Sequence, residues 1–135
     1  MIDLNSIPQV AYEEMNLVHN EEATLLNNLE TTIDEDGQNV EKIANILHEL
    51  IEHTRGHFAN EVRLMKEVGF PALHMHEGEH IKVFNEMQMV FSNWLSVKDN
   101  ELLKEYFLGS MTEWLKMHIQ TMDTITAQFI AMNKS

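Results

Sequence analysis

Residues 40–68 read VEKIANILHELIEHTRGHFANEVRLMKEV, and within them Val40, Ile43, Leu47, Leu50, Thr54, His57, Glu61, Met65 and Val68 recur at steps of three and four. That spacing brings all of them to one face of an α-helix. The face is apolar at both ends and polar in the middle, where His57 and Glu61 stand four residues apart. Four residues advance a helix by about 40° and 6 Å, so these two side chains can meet at one point.

Working outward, the same three/four spacing appears three more times. Before the quoted stretch it runs through Tyr12, Met15, His19, Leu26, Leu29 and Ile33. The run Asp34-Glu35-Asp36-Gly37-Gln38-Asn39 then ends that helix, with Gly37 for the turn and Asn39 as N-cap. After the quoted stretch, Gly69-Phe70-Pro71 breaks the chain. A third stripe follows at Leu73, His76, His80, Val83 (with Phe84), Met87, Val90 and Trp94. Ser96 to Asn100 is a capping segment. The last stripe is Leu103, Phe107, Met111, Trp114, His118, Met122, Ile125 and Phe129. The expectation is an all-α protein with helices roughly over 11–33, 40–68, 72–95 and 100–132. Short connections force neighbours to run antiparallel, which gives an up-down-up-down four-helix bundle. All of residues 1–135 are expected to form one domain.

Composition narrows the function. The net charge is −13, from 22 acids against 9 bases. Such a surface repels phosphate backbones and anionic lipid, so neither nucleic acid nor membrane is an expected partner. No apolar run approaches the roughly 20 residues that span a bilayer. Met1 to Val10 lacks the pattern of a signal peptide, which makes the cytoplasm the expected location. Cysteine is absent, which excludes disulfides, thiol catalysis, iron–sulfur clusters and thiolate zinc sites.

Histidine is the anomaly. There are eight, and His19, His57, His76, His80 and His118 fall in slots that face the core, as does Glu61. A buried polar group without a partner costs several kcal/mol, and a charged one more. One such histidine reads best as a satisfied core residue. Six polar groups spread over all four stripes read best as metal ligands, because each lone pair then finds a cation. His76 and His80 repeat the spacing of His57 and Glu61.

Taken in order, His19, His57-Phe58-Ala59-Asn60-Glu61, His76-Glu77-Gly78-Glu79-His80 and His118-Ile119-Gln120-Thr121-Met122-Asp123 resemble the hemerythrin family, whose pattern runs H, HFxxE, HxxxH and HxxxxD along four helices. The resemblance covers His19 to Asp123. It implies two iron ions, one held by His76, His80 and His118 and the other by His19 and His57. Glu61, Asp123 and an oxo or hydroxo group would bridge them. One coordination position then stays open, where dioxygen binds reversibly for storage, delivery or transport, without enzyme activity. Phe58, Trp114, Leu115 and Ile119 are the expected pocket wall. Asp123 is assigned by resemblance alone: five residues from His118, it lies about 140° away on a straight α-helix unless a π-bulge intervenes. Asn16 stands where the family often has Asp, and is expected to orient His19.

Three rival readings exist. His76-Glu77-Gly78-Glu79-His80 matches H-E-x-x-H, the zinc peptidase motif with Glu77 as base, but leaves the other ligands unexplained. A diiron oxidase of the ferritin type needs two Glu-x-x-His motifs, and only Glu77 to His80 fits. An oxygen, redox or iron sensor would use the same site and pass its state to a protein partner, which the sequence leaves unknown. Sensors of this kind are usually joined to signalling domains, and no such domain is read here. His53 is expected at the edge of its stripe, at solvent or behind a ligand. His48 and His74 are expected to face outward. Most of the ten methionines fall at core spacing, where Met fills gaps. Gly56 and Gly78 neighbour ligands, where small size would admit a helix or ring.

Overall fold

The computed structural model describes residues 1–134. Helix α1 is Glu13–Asp36, α2 is Val40–Val68 and α3 is Leu73–Val97, and a fourth helix occupies residues 100–133. Among the described residues there is no strand. Helix α1 packs on α2 and α2 on α3, while the fourth helix meets α3 and α1 near its start and α2 near its end. This is the expected four-helix bundle.

Local chemistry sets the breaks. Asn39 caps α2, its side chain accepting from Lys42 N at 3.1 Å. Gly69 ends α2 with φ +67°, a left-handed conformation that suits glycine. Helix α1 runs three residues past the expected stop at residue 33, to Asp36. Gly37 matters there for closeness: a Cβ would stand 2.7 Å from Ile33 O. The two loops at that end are tied together by Asn100, which accepts from Trp94 Nε1 at 2.9 Å and donates to Gly37 O at 2.8 Å.

Antiparallel order decides where the core sits. Leu26 and Leu29 lie late in α1, Ile43, Leu47 and Leu50 early in α2, Met87 and Trp94 late in α3, and Leu103 and Phe107 early in the fourth helix. All are fully buried. They therefore share one half of the bundle, and burial contributes about 1.5–3 kcal/mol for each large side chain. By the same order, His19, His57, Glu61, His76, His80 and His118 share the other half. The chain before α1 crosses it, with Ile7 and Val10 buried.

The fourth helix departs from expectation. It contains two π-helical segments, Lys104–Ser110 and Ile119–Asp123. A π turn holds one extra residue and advances the buried face by one position. Trp114, Met122, Ile125 and Phe129 were expected in the core. Instead Leu115, Ile119, Asp123, Thr126, Ala127 and Ile130 are buried, and Ile125 is 61% exposed.

Candidate metal centre

Seven polar side chains from four helices meet in the other half of the bundle, where Met15, Leu64 and Ala127 are also buried. His19 comes from α1, His57 and Glu61 from α2, His76 and His80 from α3, and His118 and Asp123 from the fourth helix. Each is at most 5% exposed. They fall into two groups that share both carboxylates. Glu61, His76, His80, His118 and Asp123 form one, and His19, His57, Glu61 and Asp123 the other, with candidate ligand atoms within 4.8 Å of one another in each.

The carboxylates divide their oxygens between the groups. Glu61 Oε1 lies 3.2 Å from the Nε2 atoms of both His76 and His80. Glu61 Oε2 lies 2.7 Å from His57 Nε2 and 3.6 Å from His19 Nε2. Asp123 Oδ1 lies 3.0 Å from His76 Nε2 and 3.2 Å from His118 Nε2, while Oδ2 lies 3.0 Å from His19 Nε2. One oxygen toward each group is the disposition that two adjacent cations would need from bridging carboxylates.

Hydrogen bonding alone does not satisfy this cluster. His19 Nε2, Glu61 Oε1 and both oxygens of Asp123 have no partner in hydrogen-bond geometry among the described residues. His76 Nε2 and His80 Nε2 each stand 3.1 Å from His118 Nε2. Three imidazole nitrogens facing one another cannot all be donors and acceptors at once. Orphaned acceptors at this depth are costly unless a cation sits among them. The donor set, imidazole with carboxylate, suits iron and other borderline divalent metals. The residues present therefore fit a pair of metal ions.

Electrostatics agree. Burial works against charge on His19 and His76, but the Asp123 and Glu61 carboxylates outweigh it and push both pKa values up to about 9. His57 is also raised: burial lowers it, and Glu61 more than compensates. Burial wins at His80, which is lowered. Burial would raise Glu61 and Asp123, yet the surrounding histidines hold both well below the usual carboxylate range.

The π-helical segment Ile119–Asp123 explains how His118 and Asp123 share a face though five residues apart. Thr124 Oγ1 donates to Ile119 O at 2.7 Å, back across the widened turn. The shifted face also brings in Thr126, whose Oγ1 lies 2.8 Å from His76 Nδ1 and fixes that ring. Periodicity without the π turn puts Thr126 out of phase, so the sequence reading missed it.

The expected pocket residues separate. Phe58 stacks flat on the His80 ring, with centroids 3.9 Å apart, and lies 5.1 Å from the His57 centroid. Trp114 stacks on His118 at 4.4 Å and donates from Nε1 to Glu79 Oε1 at 3.1 Å. Leu115 and Ile119 are part of the apolar core. A cavity of about 410 Å³ between α2 and α3, lined by Phe58, Val62, Ile81 and Phe84 among others, reaches His80 from the surface. Glu77 lines that cavity and belongs to neither metal group.

Asn16 does not orient His19. Its amide is occupied by the chain before α1, accepting from Val10 N at 2.8 Å and donating to Val10 O at 3.0 Å. His48 and His74 are exposed, as expected. Gly56 and Gly78 admit nothing: a Cβ there would meet no described atom within 4 Å. His53 contacts a residue the sequence reading did not single out, Glu22, which is 1% exposed and also accepts from Thr54 Oγ1. The signal was present: position 22 fills the gap between His19 and Leu26 in the α1 stripe.

Comparison with known proteins gives a consistent result. The family described as Hemerythrin HHE cation binding domain matches residues 10–130. A bacteriohemerythrin of Aquifex aeolicus is 33% identical over 128 residues, covering 95% of this chain and 96% of the relative. A bacteriohemerythrin of Ralstonia nicotianae is 29% identical over 85 residues, covering 63% of this chain and 61% of the relative. No solved structure matches the chain significantly.

Proposed function

This chain belongs to the hemerythrin family, and from that premise we propose that it binds dioxygen reversibly at a pair of iron ions held by His19, His57, Glu61, His76, His80, His118 and Asp123. The observation that carries the reading is the unequal pair of groups that share Glu61 and Asp123. One group has three histidines and the other two. With both carboxylates and one further bridge shared, the histidine-poor side is a ligand short, and a small molecule has a place to bind.

When bound, the iron pair supplies that coordination position and one reversible electron from each ion. The rest falls to the protein. Neutral imidazoles would hold the metal, and the two carboxylates would offset its charge. Phe58 and Trp114 lie against the rings of His80 and His118 and keep water from them. Leu115 and Ile119 close the interior with apolar surface, which favours reversible binding over irreversible chemistry. The cavity between α2 and α3 reaches His80, on the three-histidine side of the site. A zinc peptidase reading fits less well, because His76 and His80 converge with Glu61, His118 and Asp123, and both carboxylates are shared with a second group that the motif does not use.

We propose storage or delivery of oxygen as the role. Titration of oxygen onto the anaerobically reduced, iron-loaded protein, followed by visible spectra, tests reversible binding, and partner capture in both redox states tests the role against sensing. Saturation at one dioxygen per chain, reversed on removing oxygen, is expected. Continuous oxygen consumption would identify an oxidase instead.

A further inference from the structure

Glu22 is a buried carboxylate for which neither metal group has a use. It is 1% exposed, and it sits three residues after His19, one helical turn further into the bundle. Its partners stand in the matching place on α2: Thr54 and His53 lie three and four residues before His57. Thr54 Oγ1 donates to Glu22 Oε1, and His53 Nδ1 contacts Glu22 Oε2. Thr54 Oγ1 also lies 2.9 Å from Leu50 O, so its single proton is shared between the α2 backbone and Glu22. The outer nitrogen of His53 faces Glu21 Oε2 at 3.6 Å, and its side chain is 19% exposed. The negative end of this pair thus points inward and its other end toward solvent.

The rings next to this cluster lack anchors of their own. A metal-binding histidine usually donates its second ring nitrogen to an oxygen that fixes the ring. His76 has Thr126 for this purpose. His19 Nδ1 and His57 Nδ1 have no partner among the described residues. Their placement must come from the helices that carry them, and Glu22 with His53 and Thr54 makes a buried tie between α1 and α2 beside them. The His53 and His57 ring centroids are 6.4 Å apart, so the charge of the clasp lies close to that half of the site.

We propose that Glu22 is a positioning residue for the metal pair: clasped by Thr54 and His53, it sets the register of His19 against His57 and holds a fixed negative charge beside the metal position those two rings form. This rests on the diiron reading above. The raised pKa of His53, due first to its hydrogen bond with Glu22, agrees with this geometry. A negative charge held near a metal stabilises its more oxidised form and lowers its midpoint potential.

The test is spectroelectrochemistry of the iron-loaded native protein and of two variants, with iron counted in each and melting temperature measured on the metal-free forms. Glu22→Gln removes the charge but keeps an acceptor for Thr54, and the midpoint potential should rise. His53→Gln removes the partner that offsets that charge, and the potential should fall. Both variants should melt below the native chain when metal-free. A merely structural clasp would move both potentials the same way. Two irons per chain with potentials that are unchanged, or shifted in the same direction, would overturn this inference and leave the diiron reading standing. A native chain that takes up no iron would overturn the diiron reading, and the inference with it.

Discussion

Asp123 follows His118 by five residues, yet its Oδ1 lies 3.2 Å from His118 Nε2. An α-helix would turn the two side chains about 140° apart. The π-helical segment Ile119–Asp123 closes that gap. It acts as a one-residue insertion, and the residues after it are packed in the shifted phase. Deleting Thr121, an exposed residue within the segment, should let the turn close into α geometry with Thr126, Ala127 and Ile130 still inside. Circular dichroism melts should then place the variant within roughly 1 kcal/mol of the native chain. A loss of several kcal/mol would mean that the widened turn is itself required by the packing.

Thr126 holds the His76 ring through Nδ1 at 2.8 Å. Thr126→Val keeps the shape and removes the hydroxyl. Competition with a chelator should report metal affinity lower by about 10–100-fold, the usual effect of losing such a partner. Unchanged affinity would show that the ring is held by packing alone.

The metal-free protein should have a bell-shaped stability profile. His19 and His76, at about 9, lie above the ordinary histidine value of 6.5. Their contribution is fully present below pH 6.5 and is lost as pH rises through about 9. Glu61 and Asp123 lie below the ordinary carboxylate values of 4.5 and 3.8. Their contribution is present above those values and fades as the solution becomes more acid. His80, lowered by burial, adds stability on the neutral side that acid removes. Melting temperature should therefore peak between about pH 5 and 7. Cations compete with the ligand protons, so metal affinity should still climb between about pH 7 and 9 while metal-free stability falls. Parallel slopes in that window would contradict the assignment.

Gly78 lies inside α3 and exposed, and a Cβ there would meet no described atom within 4 Å. Gly78→Ala should stabilise the bundle by about 0.5–1 kcal/mol in a denaturant titration and leave metal content unchanged. Destabilisation would restore the idea that the missing side chain makes room near His76 and His80.

Helix number, order and direction were legible because long amphipathic stripes leave few ways to bury their faces. Six of the seven convergent residues were legible as polar intrusions in those stripes. Asp123 was not, since a strict three/four count passes it by, and only the resemblance to a family recovered it. The same phase slip misplaced Met122, Ile125 and Phe129 and hid Thr126. Glu22 was hidden differently: an acid in a stripe reads as a gap when its partners, His53 and Thr54, come from another helix. Asn16 was misread because its partner, the Val10 backbone, belongs to an irregular segment that periodicity does not describe.

Metal analysis of the freshly purified native protein, with iron, zinc and manganese counted against chain concentration, tests the central claim most directly. The account predicts two irons per chain. A single zinc, or a chain that stays metal-free after anaerobic loading with ferrous iron, would contradict it.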